Sequence, residues 1–218
     1  QPVEDGREFG VFMKPERKLS LEDAKRVMRD HFDASEHDPY SHGLNGNEPW
    51  RPVSVFRTYE AHVMQVRPWL PRAMCDVIYI AFGMADLSCF MPFYQGLEQV
   101  PGHYGIGTCQ ADSASVYWKF RKLQTLVMTD YPTYAPIVKK AFGDQERAMT
   151  AKQEQMEKQY VELIKSDKKA ATALLQKTNL ELLAECEALA EDLTNQIFTL
   201  ATENIQKANF FANRSKKD

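Results

Sequence analysis

The sequence predicts an α+β protein in which antiparallel strands come first and long helices follow. Three observations carry this. The block from Pro52 to Tyr94 is apolar and holds the convincing strand stretches; those stretches are apolar on both faces; and beyond Asp112 apolar residues recur at every third or fourth position instead of alternating. From Val53 to Val66 the odd positions Val53, Val55, Tyr59, Ala61 and Val63 are apolar, but so are Phe56, Met64 and Val66 at even ones. A strand apolar on both faces must be covered on both. The sheet is therefore expected to be an inner layer.

Bulk composition narrows the class. The chain has 218 residues, 44% hydrophobic and 26% charged, which is enough for a single globular core. Its net charge of −3, from 27 basic and 30 acidic residues, gives no footprint for binding nucleic acid. No apolar run approaches the ~20 residues of a membrane helix, and QPVEDGREFG at the start is unlike a signal peptide. Gln1, in place of an initiator Met, suggests an internal cut or a processed chain. Cys75, Cys89, Cys109 and Cys186 share no CxxC spacing, so no metal site is expected and buried free thiols are. Unpaired thiols favour a reducing, cytoplasmic compartment, with a periplasmic or secreted one left open.

Taken in order, the charged approach ends in KPERK, and Ser20 with Asp23 forms a capping-box start. Leu21, Ala24, Val27 and Met28 then mark an amphipathic helix to about His31. Residues 32–51 are a long loop, dense in turn residues such as Asp38-Pro39, Gly43, Gly46 and Glu48-Pro49. The first strand ends before Pro68 and Pro71; Asp76–Gly83 is a second, able to pair with it as a hairpin. Leu87–Tyr94 is a third, with Pro92 placing its end at a sheet edge. After a glycine-rich loop over 95–112, Val116, Phe120, Leu123 and Val127 predict a helix to about Thr129. Pro132 and Pro136 open another, to about Ile164, with a break possible at Gly143. Lys168 to about Lys207 is the last. Its seam of Leu175, Leu182, Cys186, Leu189, Leu193, Ile197 and Leu200 favours packing within the chain over a dimer coiled coil, though a homo-oligomer stays open. The terminal NRSKKD should fray.

Among groups that could carry chemistry, no GxGxxG, GxxxxGK[ST], HExxH or GxSxG occurs, and no cofactor is implied. His31, His37 and His42 are expected to be solvated in or beside the loop. His62 sits mid-strand, where an ionisable group must find a partner or point into a cavity; it reads as a satisfied core histidine ahead of a cavity-lining one. Arg57 and Arg67, ten residues apart on the same predicted strand face, read as buried guanidiniums. Each needs an acid from elsewhere, or one of them faces a cleft and binds a substrate carboxylate or developing negative charge. No cysteine has a local base or other means of activation.

Longer segments carry a resemblance. PERKLSLEDAKRVMRDHF (Pro15–Phe32), DPYSHG (Asp38–Gly43), RPVSVFRTYEAHVMQVRP (Arg51–Pro68) and AFGMADLSCFMPFYQG (Ala81–Gly96) resemble, in order and spacing, blocks of the PepD-like bacterial dipeptidases. The resemblance runs from Pro15 to about Phe211 and corresponds to the C-terminal half of the family's length. It implies a cysteine N-terminal-nucleophile hydrolase with a four-layer αββα sandwich, in which an N-terminal cysteine attacks the peptide carbonyl and its own α-amino group is the base. No N-terminal cysteine is present here, so the catalytic residues are expected in an N-terminal half of the same protein. This chain alone would then be inert. Residues 1–112 would supply sheet and loops, and 113–218 the helices packed on them, as one part of a larger catalytic domain. Arg57, at the family's RT pair, becomes the leading substrate-binding candidate, with His62 and Arg67 behind it and a dipeptide as substrate. The alternatives are a non-catalytic helical assembly module and an amidase of the same superfamily acting on another small amide.

Overall fold

The structure is a computed structural model that describes residues 12, 14–33, 35–40 and 51–214. Gly43, Gly46, Glu48-Pro49, His42 and the end of NRSKKD lie outside the described residues. Helix α1 (Leu21–Arg29) starts on the predicted capping box: the Ser20 hydroxyl accepts from Asp23 N, and the Asp23 carboxylate accepts from Ser20 N. Its inner face differs from the apolar pattern. Val27 is exposed, while Lys25 is buried and lies over the Tyr79 ring. The reason is electrostatic, because Lys25 and Arg29 both converge on Glu146, a buried acid of a later helix.

Strands β1 (Glu60–Val66), β2 (Asp76–Phe82) and β3 (Met91–Tyr94) form one antiparallel sheet in the order β1-β2-β3. A short helical turn, α2 (Arg72–Cys75), closes the predicted hairpin between the first two. In register, Val63, Tyr79 and Pro92 share one face, while Met64, Ile78 and Phe93 share the other. The first of these faces is covered: Ala61, Val77, Tyr79, Ala81 and Tyr94 pack with Met156, Tyr160, Ala171 and Leu175 from the last two helices. The second face departs from the expectation of an inner layer. Phe82 and Phe93 meet Tyr104, and Phe82 meets Phe120, but Met64, Val66 and Ile78 are exposed, as are Tyr59 and Trp69 at the ends of β1. Of the long helices, which come later in the chain, those over residues 131–163 and 168–214 lie against the first face and the one over 116–127 reaches the second only around Phe82, so among the described residues nothing covers Met64, Val66 and Ile78.

Two predicted strands are shorter than expected, for one physical reason. Over residues 53–59 Ser54 N donates to Asp30 O, the Tyr40 hydroxyl bridges Ser54 O and Phe56 N, and Arg121 takes the carbonyls of Phe56 and Thr58. Over 83–90 Gln124 binds Phe82 O, Met84 N and Leu87 O, Phe90 N donates to Glu146, and Arg29 takes Ser88 O. Backbone groups spent on side chains are unavailable for a ladder. Residues 85–87 form a 3₁₀ turn instead, and Gly83, at φ +73°, turns the chain where no Cβ would fit: one placed there would lie 2.2 Å from Gln124 Oε1.

Helices α3 (Val116–Val127), α4 (Tyr131–Leu163) and α5 (Lys168–Arg214) complete the chain. α4 runs unbroken through Pro136 and Gly143, so the break allowed at Gly143 does not occur. α5 folds back on α4 across residues 164–167, where the Asp167 carboxylate caps Ala170 N. Leu175, Leu182, Cys186, Leu193 and Ile197 of the seam are buried and Leu189 and Leu200 partly so, all against elements of the same chain. Asn179 of α5 donates to Pro92 O, which occupies a free carbonyl on the β3 edge.

Against expectation, His31 is not solvated; it is 1% exposed. Its Nδ1 lies 2.9 Å from Asp38, and its Nε2 lies 3.2 Å from Asp86 Oδ2 and 2.9 Å from the Tyr131 hydroxyl. Lys139 Nζ, 2.7 Å from Asp86 Oδ1, completes the group. Four separated segments meet here: the residues after α1, the 38–40 turn, the 3₁₀ turn and α4. Burial by itself would lower the His31 pKa, but the hydrogen bond and charge of Asp86, with Asp33 and Asp38, outweigh it and raise it. Burial would likewise raise Asp86, yet His31 and Lys139 hold it below the ordinary carboxylate value.

These features fix two outcomes. Gly83→Ala should destabilise the protein by at least about 1–3 kcal/mol, since it combines a left-handed residue with a clash; chemical denaturation with an unchanged midpoint would exclude that geometry. The buried group should also set the pH dependence of stability. The contribution of charged His31 is complete below ~6.5 and is lost as pH rises through its raised folded value. That of Asp86 is complete above ~3.9 and is lost as pH falls through its lowered one. Melting temperature followed across pH should therefore decline on the alkaline side. His31→Gln should flatten that limb, and Asp86→Asn should cost about 3 kcal/mol by leaving buried His31 and half-buried Lys139 without their shared acid.

Candidate active site

Arg57 is not on the strand. Thr58 N closes a turn on Val55 O, and Arg57 sits on that turn, exposed, just ahead of β1. Its backbone is held on both sides, because the Nη1 of Arg121 donates to Phe56 O and the Nη2 of Arg121 to Thr58 O. Its own guanidinium makes no hydrogen bond or ion pair with the described residues. The reading of a buried Arg57 on the same face as Arg67 is thus corrected: the first half of the predicted strand is tied off to side chains before it can join the ladder.

His62 and Arg67 lie on opposite sides of the sheet. His62, opposite Ile80, is on the open face and is exposed; its Nδ1 meets Glu60 at 3.1 Å, two residues away on the same face. Its partner is local and solvated, so the expectation of a buried histidine does not hold. Arg67 comes nearest to its expected burial, with its side chain 13% exposed, and it takes an acid from elsewhere: Nη1 contacts Glu157 of α4 at 2.9 Å, and Nη2 donates to Met74 O. Glu157 also accepts from the Tyr94 hydroxyl at 2.7 Å, and burial followed by the Glu157 charge pushes the Tyr94 pKa far up. This network pins the hairpin to α4. The three residues therefore do not converge within the described chain.

Cys75 and Cys89 are held as thiols. Burial first, then Asp76, raises the Cys75 pKa, and Cys89 is raised well above its ordinary value by burial and by Cys186, whose sulfur lies 3.4 Å away. Both stay protonated at neutral pH, the opposite of what attack requires. Only Cys89 and Cys186 are buried as expected of free thiols; Cys75 is half-buried and Cys109 is exposed on a loop that no helix or strand covers closely enough to enclose it.

Among the described residues, His31, Asp33 and Asp86 come close enough to share a metal ion, with ligand atoms within 4.8 Å. Lys139 already serves them, at 2.7 Å from Asp86 and 3.1 Å from Asp33, so its ammonium supplies the positive charge an ion would bring. Sequence reasoning passed over Arg121 and Gln124 altogether. Both read as polar positions of an amphipathic helix, and only their distance from the 54–59 and 83–87 backbone gives them a role.

Residues 2–143 match the sequence model of peptidase family C69. Among curated relatives, a "probable dipeptidase" of Salmonella dublin is 49% identical over 105 residues, which is 48% of this chain and 23% of the relative. "Probable dipeptidase B" of Lactococcus lactis subsp. lactis (strain IL1403) is 27% identical over 140 residues, covering 62% of this chain and 30% of the relative. A "probable dipeptidase" of Latilactobacillus sakei is 26% identical over 196 residues, 87% of this chain and 39% of the relative. The chain therefore spans from about a quarter to two-fifths of the length of these relatives. With a family match over residues 2–143, most of the chain, this polypeptide belongs to peptidase family C69.

Proposed function

We propose that this chain is the C-terminal part of a cysteine dipeptidase. The observation that carries the reading is the C69 match over residues 2–143, joined to relatives named as dipeptidases. In the reaction, a cysteine thiolate in the remainder of the protein attacks the dipeptide carbonyl and expels the amino-acid leaving group as an amine. Water then hydrolyses the resulting thioester. The α-amino group of that cysteine, which titrates near ~8, takes the thiol proton and returns it to the leaving amine. No cofactor enters this scheme.

The remainder of the protein is also the partner we assign to the open sheet face. Met64, Val66 and Ile78 are exposed in adjacent register, and β1 is a free edge among the described residues. A second sheet laid on this face would give the αββα sandwich, with α1, α4 and α5 as one outer layer, and would make residues 1–112 and 113–218 parts of one catalytic domain. His62 would then lie at the join between the sheets, Arg67 would brace the hairpin from behind, and Arg57 would stand at its mouth. The coverage of the relatives, at most two-fifths of the Latilactobacillus sakei protein, agrees with a longer working unit.

Two experiments test this. The full-length protein should hydrolyse free dipeptides and lose the activity on treatment with a thiol-alkylating reagent, whereas residues 1–218 alone should be inactive; a full-length protein without dipeptide hydrolysis, or one indifferent to the reagent, would overturn the mechanism. Met64→Asp with Val66→Asp should leave the separate chain folded, because both sites are exposed, yet abolish its association with the remaining segment in a pull-down. Undiminished association would exclude this face as the join.

A further inference from the structure

We propose that Arg57 and Arg121 together form a carboxylate-binding turn in which Arg121 is the positioning residue; this rests on the dipeptidase reading above. Arg121 is 6% exposed, and among the described residues no carboxylate contacts it. Its donors are spent on neutral acceptors: the carbonyls of Phe56 and Thr58, and the Tyr117 hydroxyl at 3.1 Å from Nε. Its guanidinium also lies over the Phe56 ring, 4.6 Å from the centroid, and over the Tyr117 ring at 5.3 Å. A buried cation left without an acid is costly, and here it is directed at the two peptide units that flank a second, exposed arginine.

Both consequences favour an anion. The planar fork fixes the backbone before and after Arg57 in one geometry, and the Tyr40 hydroxyl, bridging Ser54 O and Phe56 N, removes the remaining freedom upstream. The Arg57 side chain is thereby launched from a preorganised turn, which reduces the ordering cost of binding. Two positive charges at one turn also leave a potential that a ligand carboxylate would neutralise, and a guanidinium suits the two oxygens of a free C-terminus. A dipeptide carries such a terminus one residue beyond its scissile bond. The turn would therefore select short free peptides by their charge, and Arg121 would act only through Arg57.

The test uses the full-length protein with two probes: a free dipeptide, read as KM, and the same dipeptide as its C-terminal amide, read as Ki. Arg57→Ala should raise KM roughly tenfold or more, the loss expected for a charged hydrogen-bonding partner, while Ki for the amide moves less than about twofold. Arg121→Met should produce the same selective rise, and the double variant should be no worse than the more affected single one, because the two act as a unit. Arg121→Lys, which keeps the charge but loses the fork, should fall between. Circular dichroism and melting temperature check folding. Tyr40→Phe, which loosens the same turn from the other side, replaces Arg121→Met should that variant fail to fold. A folded Arg121→Met protein with wild-type KM beside a raised KM for Arg57→Ala would overturn the positioning role and leave the carboxylate site standing. Wild-type KM in Arg57→Ala would overturn the site itself, while hydrolysis and its thiol sensitivity would still support the dipeptidase reading.

Discussion

The structure depends on side chains of α1, α3 and α4 serving as hydrogen-bond partners for backbone that the strand ladder leaves unpaired. Arg121, Gln124, Glu146 and Arg29 reach across to residues 56–58 and 82–90. Buried peptide groups must be paired, and strand pairing is the usual solution. Here the sheet stops at three short strands, and the chain around it is caught by helices instead. The price is a set of buried polar and charged side chains, among them Arg121, Gln124, Glu146 and Asp86. Glu146 and Asp86 are held there by charged partners, whereas Arg121 and Gln124 are held by neutral groups, most of them backbone.

That arrangement explains why irregular segments of this chain can still be rigid. The Arg57 turn and the Gly83 turn flank the β1–β2 pairing, where Gly83 N donates to Tyr59 O, and α3 holds both from one side. One turn of helix separates Arg121 from Gln124, so the two side chains project together. A loop fixed in this way can present a side chain with the precision of a regular element. Farther from α3, the part of the second sheet face around Met64, Val66 and Ile78 has no such helix over it among the described residues, and these are large apolar groups of the kind that mark an interaction surface.

Much of the architecture could be read from the sequence. The capping box at Ser20, the β1–β2 hairpin, the edge position of Pro92 and the three long helices are local signals, and the structure contains them all. The segments Pro15–Phe32, Asp38–Gly43, Arg51–Pro68 and Ala81–Gly96 pointed to the family that residues 2–143 match. The candidate site was far less legible. Arg57 and His62 were expected to be buried and are exposed, whereas His31 was expected to be solvated and lies 1% exposed among Asp33, Asp38 and Asp86. Apolar alternation reports which faces want cover, and it is silent on which of them receive it.

By itself the sequence determined element types and their order, because caps, turns and hydrophobic period act between residues a few positions apart. It also determined family, through long blocks of shared residues. Tertiary structure alone decided where strands end, which sheet face is left bare and which ionisable groups are buried. Those outcomes rest on contacts between residues such as Arg121 and Phe56, or Tyr131 and His31, far apart in the chain. A side chain that ends a strand by taking its carbonyls leaves no mark on the local pattern of that strand, and so only the folded arrangement could show it.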